Sequence, residues 1–276
     1  MNPAGPVPEP PADTYTHGHA EPVLRSHRWR TAENSAGYLL DHLRSGMDLL
    51  DVGCGPGTLT VDLARRTAPG RTVGIDVAAE AVAAARDHVA ATGVPVELVV
   101  GDLRDVDLAP RSFDVVHAHQ VLQHLQDPIG ALRALATLAR PGGGIVAVRD
   151  ADYPAMVWAP AEERLDRWRD AYLAVTQVNG AAADAGRHLL RWAQDAGLHD
   201  VTYTTSTWTF ATPQDRAWWA GLWAERTVAS TFAEQAVAYG VATPDELAEM
   251  ADGWRAWAAD TGATFTVVHG ELVALT

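Results

Sequence analysis

A doubly wound α/β fold with a mostly parallel sheet is what the order of apolar patterns predicts. Five short apolar runs, Asp48 to Val52, Thr72 to Ile75, Val96 to Val100, Phe113 to His117 and Gly144 to Val148, have the character of strands buried on both faces. Stretches of helical spacing lie between them, near 58–66, 78–91, 122–125 and 128–139. Strand, helix, strand, repeated in this way, builds a parallel sheet with helices on its faces. At 276 residues and 47% hydrophobic composition, the chain suits one large domain or one domain with insertions.

Five of the 16 prolines fall within residues 1–12, where no periodic apolar pattern exists, so a loosely draped tail is expected there. Residues 1–31 read as an N-terminal piece and 32–276 as the domain proper. The segment Ala32 to Leu43 puts Ala36, Leu39, Leu40 and Leu43 on one helical face. Beyond residue 150 the texture changes, since nine of the ten tryptophans stand at position 158 or later. Helices are expected at 160–178 and 184–196, a strand near Val201 to Thr209, three helical pieces between Pro213 and Ala259, and a last strand near Thr264 to Ala274. The Trp-rich stretches at about 155–180 and 212–260 interrupt the strand pattern and read as helical cap insertions.

Composition excludes several functions. Against 35 acidic residues stand 21 basic ones, all of them arginine, for a net charge of −14. That balance disfavours nucleic acid and anionic membranes as partners. A chain without lysine forms no Schiff base and no phosphate loop ending in Gly-Lys. The single Cys54 rules out an internal disulfide and fits a reducing cytoplasm. No apolar run approaches the roughly 18–20 residues that would span a bilayer.

The strongest motif is the turn after the first strand, Asp51-Val52-Gly53-Cys54-Gly55-Pro56-Gly57-Thr58. Glycines there let backbone approach a ligand closely and free amide N–H groups for its polar atoms. Asp76 ends the second strand, where a carboxylate can accept both hydroxyls of a ribose. Asp102, in Gly101-Asp102-Leu103, ends the third, where it can take a hydrogen bond from an adenine amino group. The glycine expected at position 58 of a dinucleotide fingerprint is Thr58, and Gly57 comes one residue early.

The pattern Asp-x-Gly-x-Gly-x-Gly resembles motif I of the class I S-adenosylmethionine-dependent methyltransferases. The likeness continues through Gly74-Ile75-Asp76-Val77, Gly101-Asp102-Leu103, Ser112 to His117, Val121 to Pro128 and Arg140-Pro141-Gly142-Gly143-Gly144. It covers residues 48–150 and looks most like the small-molecule branch related to quinone biosynthesis (type 11). The resemblance implies a seven-stranded sheet of order 3-2-1-4-5-7-6 with the final strand antiparallel, and S-adenosylmethionine as cofactor. It implies cofactor contacts from Asp51, Gly53, Cys54, Gly55, Gly57, Asp76, Val77, Asp102 and Leu103. His119 and Gln120 fall where the family places residues beside the sulfonium. It also implies that the piece bearing Tyr15, His17, His19, His27, Trp29 and Arg30 folds over the cofactor as a lid.

A sulfonium-bound methyl is already electrophilic, so the protein's contribution is alignment and exclusion of water, with a general base optional. Candidate acid–base groups are His119, Asp152 and Tyr153, near the carboxyl edge of the sheet where ligands of open α/β sheets bind. His119 reads equally as a cofactor contact. His117, His124 and Asp150 lie close by; helix-start packing is the simpler reading of His124, and Asp127-Pro128 reads as a helix cap. No metal site is expected. Trp158, Trp219 and Trp223 are candidate acceptor contacts, whereas Trp168 and Trp192 read as core. Arg164, Arg167 and Arg169 read as a solvated face paired with neighbouring carboxylates. The expected reaction is methyl transfer to a small, partly hydrophobic or aromatic metabolite at O, N or C. The alternative is a protein that keeps the cofactor as a scaffold, such as a cyclase.

Overall fold

The computed structural model describes residues 21–276, with side chains from Arg25 onward. Seven strands form one sheet: β1 (Leu49–Val52), β2 (Thr72–Asp76), β3 (Glu97–Val100), β4 (Val115–His119), β5 (Ile145–Ala159), β6 (Asp200–Phe210) and β7 (Thr264–Leu275). Their order across the sheet is β3-β2-β1-β4-β5-β7-β6. β1 to β5 pair in parallel, and β7 runs antiparallel to both of its neighbours. This is the topology that the family resemblance implies. It puts the ends of β1, β2, β3 and β4 along a single edge, where the order reverses between β1 and β4.

Eleven helices are described: α1 (Glu21–Arg28), α2 (Ala32–Ser35), α3 (Gly37–Leu40), α4 (Thr58–Thr67), α5 (Ala79–Thr92), α6 (Pro128–Leu138), α7 (Glu163–Val178), α8 (Ala185–Ala196), α9 (Pro213–Val228), α10 (Thr231–Ala238) and α11 (Pro244–Ala259), besides a 3₁₀ turn at Leu122–His124. Their starts follow local chemistry. Asp127 accepts from the Gly130 N–H ahead of Pro128, Thr212 from the Asp215 N–H ahead of Pro213, and Thr243 forms a reciprocal box with Glu246 ahead of Pro244. In each case a side-chain oxygen satisfies an orphan donor while proline occupies a position whose N–H has no intrahelical partner.

Three expectations are corrected. The predicted helix over 32–43 is two short ones, because Ala36 leaves helical geometry at φ −135° and Gly37 follows, a poor helix former. Its apolar face is still buried at Ala36, Leu39 and Leu43. β4 begins at Val115, Phe113 making only an isolated bridge to Ala139, so His119 is the last residue of the strand. β5 continues well past Val148 because β7 pairs with it as far as Ala159, across an irregularity between Asp152 and Val157. Asp150, Asp152 and Tyr153 therefore lie within the strand, and the first Trp-rich stretch opens as strand before becoming α7.

The core has distinct parts. One cluster lies beneath β1, β2, β4 and β5 with α6 and α8, and a smaller one under α2, α3 and α4. The largest joins α7, α9, α10 and α11 to the far ends of β5, β6 and β7, with Trp168, Trp223, Trp254 and Trp257 almost fully enclosed. Trp168 is core, as expected; Trp192 is half-buried against the sheet cluster. Arg164 pairs with Glu162, Arg167 with Glu249 and Arg169 with Asp166. Among the described residues no helix is long and apolar enough to cross a membrane.

Candidate active site

After β1 the chain turns through Gly53, Gly55 and Gly57, with φ of +70°, +54° and +78°. Only glycine adopts this region at little cost. The Gly53 and Cys54 N–H groups donate to the Ile75 carbonyl at 2.8 and 3.0 Å. The Gly55 N–H donates to Asp76 Oδ2 and the Ala78 N–H to Asp76 Oδ1, each at 2.9 Å. Asp76 thus ties the glycine turn to the end of β2. A Cβ on Gly53 would sit 2.4 Å from Val121 Cγ2, so the turn also packs against the chain leaving β4. Beneath it, buried Asp51 accepts from Thr60 Oγ1 at 2.5 Å and from His117 Nδ1 at 2.7 Å. Cys54 is buried, and desolvation, followed by Asp51 and Asp76, pushes its thiol far above the usual range. It is a neutral thiol.

A cavity of about 520 Å³ opens above the turn. Gly53, Gly55, Asp76, Val77, Asp102 and Leu103 line it from the ends of β1, β2 and β3, whereas Tyr153, Met156, Trp208, Trp218, Trp219 and Trp223 line its aromatic side. The long, aligned β5 and β7 carry the sheet under both parts. α1 crosses above: Thr58 Oγ1 donates to the His27 carbonyl at 3.1 Å, Arg25 pairs with Glu225 of α9, and Trp29 packs on Trp208 and Trp218 with centroids 5.2 Å from each.

His119 and Gln120 stand where the two parts meet. His119 is 4% exposed, and neither of its ring nitrogens has a hydrogen-bond partner among the described residues. Burial, followed by the nearby Arg30 and Arg149, holds its pKa well below the ordinary histidine value, so the ring is neutral. Gln120 adopts φ +54°, unusual for a residue with a side chain. Its Oε1 accepts from Arg30, so its amide nitrogen is left to donate to His269 Nε2 at 3.0 Å. Gln123 is oriented by the same logic. Its Oε1 accepts from the Ala151 N–H at 3.0 Å, so its amide donates to His124 Nε2 at 3.1 Å and fixes the Nδ1–H tautomer. Burial lowers the His124 pKa to about 3, and desolvation raises that of neighbouring Asp150 to about 7.

Most of the sequence-selected residues share this cavity: Asp51, Gly53, Cys54, Gly55, Asp76, Val77, Asp102, Leu103, His119, Gln120, Tyr153, Trp219 and Trp223 all line it. Three do not. Gly57 begins α4 and faces α5, where an added Cβ would meet the Ala85 Cβ at 3.0 Å. Asp152 is held by both Arg187 nitrogens at 2.6 Å and accepts from the Ala155 N–H. Trp158 stacks on Phe265 with centroids 5.5 Å apart, and Arg169 lies over its ring. Asp102 is forked by Arg104, which holds its carboxyl below the usual range. Trp219 and Trp223 are core and cavity wall at once, at 4% and 1% exposure. Trp218 lines the same wall, although it leaves the helix in another direction.

The sequence reading did not single out Trp208, Met156, Arg226 or His269. Trp208 was legible as an aromatic in a predicted strand; nothing local marked the others. His27, Trp29 and Arg30 of the N-terminal piece reach the cavity, whereas Tyr15, His17 and His19 lie outside the described residues. Among the described residues no group of three or more His, Cys, Asp or Glu side chains could hold a metal ion.

A sheet of this order, with a glycine turn after β1 and carboxylates ending β2 and β3, defines the Rossmann-like methyltransferase fold. Residues 49–143 match the family described as a methyltransferase domain. A methyltransferase of Schizosaccharomyces pombe is 28% identical over 94% of this chain and 95% of its own length. The ubiquinone biosynthesis O-methyltransferase of Aeromonas salmonicida is 39% identical over 36% of this chain, which spans 42% of that relative. Among solved structures, the YcgJ protein of Bacillus subtilis superposes with a TM-score of 0.57 at 16% identity, over 87% of this chain and 97% of that one. Sequence and fold together support a class I S-adenosylmethionine-dependent methyltransferase.

Proposed function

We propose that the protein methylates a small, largely apolar or aromatic acceptor, with S-adenosylmethionine held by the glycine turn and the acceptor held by the tryptophan wall. The observation that carries this reading is the single cavity running from Asp76 and Asp102 to Trp219 and Trp223. The cradle fits the cofactor: the glycines leave no Cβ in the way, Asp76 keeps lone pairs for a ribose, and Asp102 and Leu103 would frame the adenine. Asp51, Cys54, Val77 and Gln120 complete the wall on that side. When bound, S-adenosylmethionine supplies an electrophilic methyl group.

The chain's own residues then position and desolvate. Trp219, Trp223 and Tyr153 would orient a planar acceptor, and pockets of this kind use a few polar groups among apolar walls. The stretches at about 155–180 and 212–260 would act as a cap, with α1 and Trp29 closing over the cavity and excluding water. His119 would accept a proton or touch the cofactor. The ubiquinone-related relatives act in quinone biosynthesis by name, which supports a quinone-like or secondary metabolite as acceptor. The test is calorimetry with S-adenosylhomocysteine. Asp76→Ala should weaken binding at least about tenfold, since charge-assisted hydrogen bonds contribute about 1.5–3 kcal/mol each. Unchanged affinity would defeat the assignment.

A further inference from the structure

We infer that the apolar groove between the end of α9, α10 and α11 takes this chain's own proline-rich segment, residues 6–11, and that the segment so held straps α1 over the cavity. The groove, of about 670 Å³, shares no lining residue with the candidate active site. Val228, Ala229, Ala233, Val237, Pro244 and Leu247 give it an apolar surface. Val228 and Val237 are 46% and 44% exposed, so each leaves much of its side chain bare. Among the lining residues only Ser230 and Glu234 have polar side chains, and the Ser230 hydroxyl already donates to the Arg226 carbonyl at 2.7 Å.

The path of the chain points to what covers this surface. α1 runs antiparallel to α9: Trp29 packs on Trp218, and four residues earlier Arg25 pairs with Glu225, seven residues further along α9. Trp218, Glu225 and Ala229 share one face of α9, since seven and eleven residues are close to two and three helical turns. One turn before Arg25, α1 begins at Glu21, which brings its first residue to the level of Ala229 and the mouth of the groove. The glycine turn meets the other end of α1, at His27.

Reach and chemistry agree. Residues 6–11 lie outside the described residues, and the nine residues between Pro11 and Glu21 can span about 30 Å. α10, eight residues long, lines the groove over about 12 Å, the length of about four residues of polyproline II at about 3.1 Å each. Pro6-Val7-Pro8-Glu9-Pro10-Pro11 supplies them. Burying a backbone N–H without a partner is costly, so a groove almost without acceptors favours a segment in which four of six residues carry no N–H. The tether favours the chain's own copy. A short linker holds its segment at an effective concentration in the millimolar range, whereas separate chains of net charge −14 repel one another.

The experiment uses the full chain carrying Val7→Cys labelled with a benzophenone maleimide, the buried, neutral thiol of Cys54 being poorly reactive. Irradiation of a mixture of ¹⁵N-labelled and unlabelled chains, followed by mass mapping, should give cross-links to residues 228–248 within one chain. They should be lost in Val228→Asp and in Val237→Asp, where a carboxylate under the segment would lack a partner. Both positions are exposed enough for the fold to persist, which a thermal melt checks. In the same variants, hydrogen exchange of the amides of residues 25–28 should speed up severalfold. Cross-links between chains, to the glycine-turn side or to no site would overturn the inference, as would α1 exchange unchanged in both variants. Neither readout needs S-adenosylmethionine, so the methyl-transfer reading stands or falls separately.

Discussion

The two sides of the cavity are built by different means. The glycine-turn side is made mainly of backbone: positive-φ residues, strand ends, and a carboxylate that binds two amides. The aromatic side is made of side chains that arrive from β5, β6, α1 and α9 and interlock with one another. A backbone cradle is sensitive to the addition of one carbon and contributes little apolar burial. A side-chain wall is the reverse, since removing a ring removes core.

The sharpest way to break the comparison is Trp223→Ala, which should cost about 3–5 kcal/mol of stability in a urea titration. A loss below about 1 kcal/mol would mean the ring is a ligand contact and little else. Next comes Gly53→Ala. It forces an alanine into φ +70° with its Cβ 2.4 Å from Val121 Cγ2, a strain of about 1–3 kcal/mol before the clash is relieved. Affinity for S-adenosylhomocysteine should fall at least tenfold while urea stability falls by less than in Trp223→Ala.

The third concerns pH, where the two buried groups near Gln123 act in opposite directions. His124, lowered to about 3 from 6.5, is neutral when folded, so the unfolded chain binds more protons between those values and stability is lost as pH falls through that window. Asp150, raised to about 7 from 3.8, holds its proton when folded, so stability is lost as pH rises through that range. Asp150→Asn should therefore be more stable than the parent at about pH 8, with a difference that shrinks as pH falls, the limiting slope being about 1.4 kcal/mol per pH unit. A difference constant with pH would show that Asp150 does not titrate there. The smallest effect is expected for Trp218→Ala, whose ring is only half-buried. Acceptor binding should weaken by about 0.5–1.5 kcal/mol beyond lost area, with cofactor affinity unchanged.

The same contrast explains what the sequence disclosed. Gly53, Gly55, Asp76 and Asp102 are legible because each must stand at a set place relative to a strand end, so spacing along the chain mirrors position in space. The alternation of strand and helix is legible for a related reason: apolar runs and helical spacing alternate cleanly up to Val148, whereas the order of the strands across the sheet follows only from the family resemblance. Past that point the signal fails. β5 goes on to Ala159 because β7, more than a hundred residues later, pairs with it, and no local pattern reports a partner so distant. Asp152 looked catalytic from its place near the carboxyl edge, but Arg187 of α8 claims it. Gly57 matched the motif and is needed for α4 to pack against α5 rather than for the cavity. Trp208, Met156 and His269 gain their meaning only from the pairing of β5, β6 and β7.

The tryptophan cluster also makes the molecule spectroscopically lopsided. Of the ten indoles, Trp192 alone packs against the sheet cluster; the others belong to the largest cluster or lie against it. Successive rings such as Trp168 and Trp223, or Trp168 and Trp254, sit 4.5 and 4.8 Å apart. At such separations excited states are shared, so ultraviolet emission and near-ultraviolet dichroism arise almost wholly from the aromatic side. Intrinsic fluorescence is therefore a built-in gauge of how the aromatic wall packs, and for the glycine turn, where no indole stands, the chain is nearly dark.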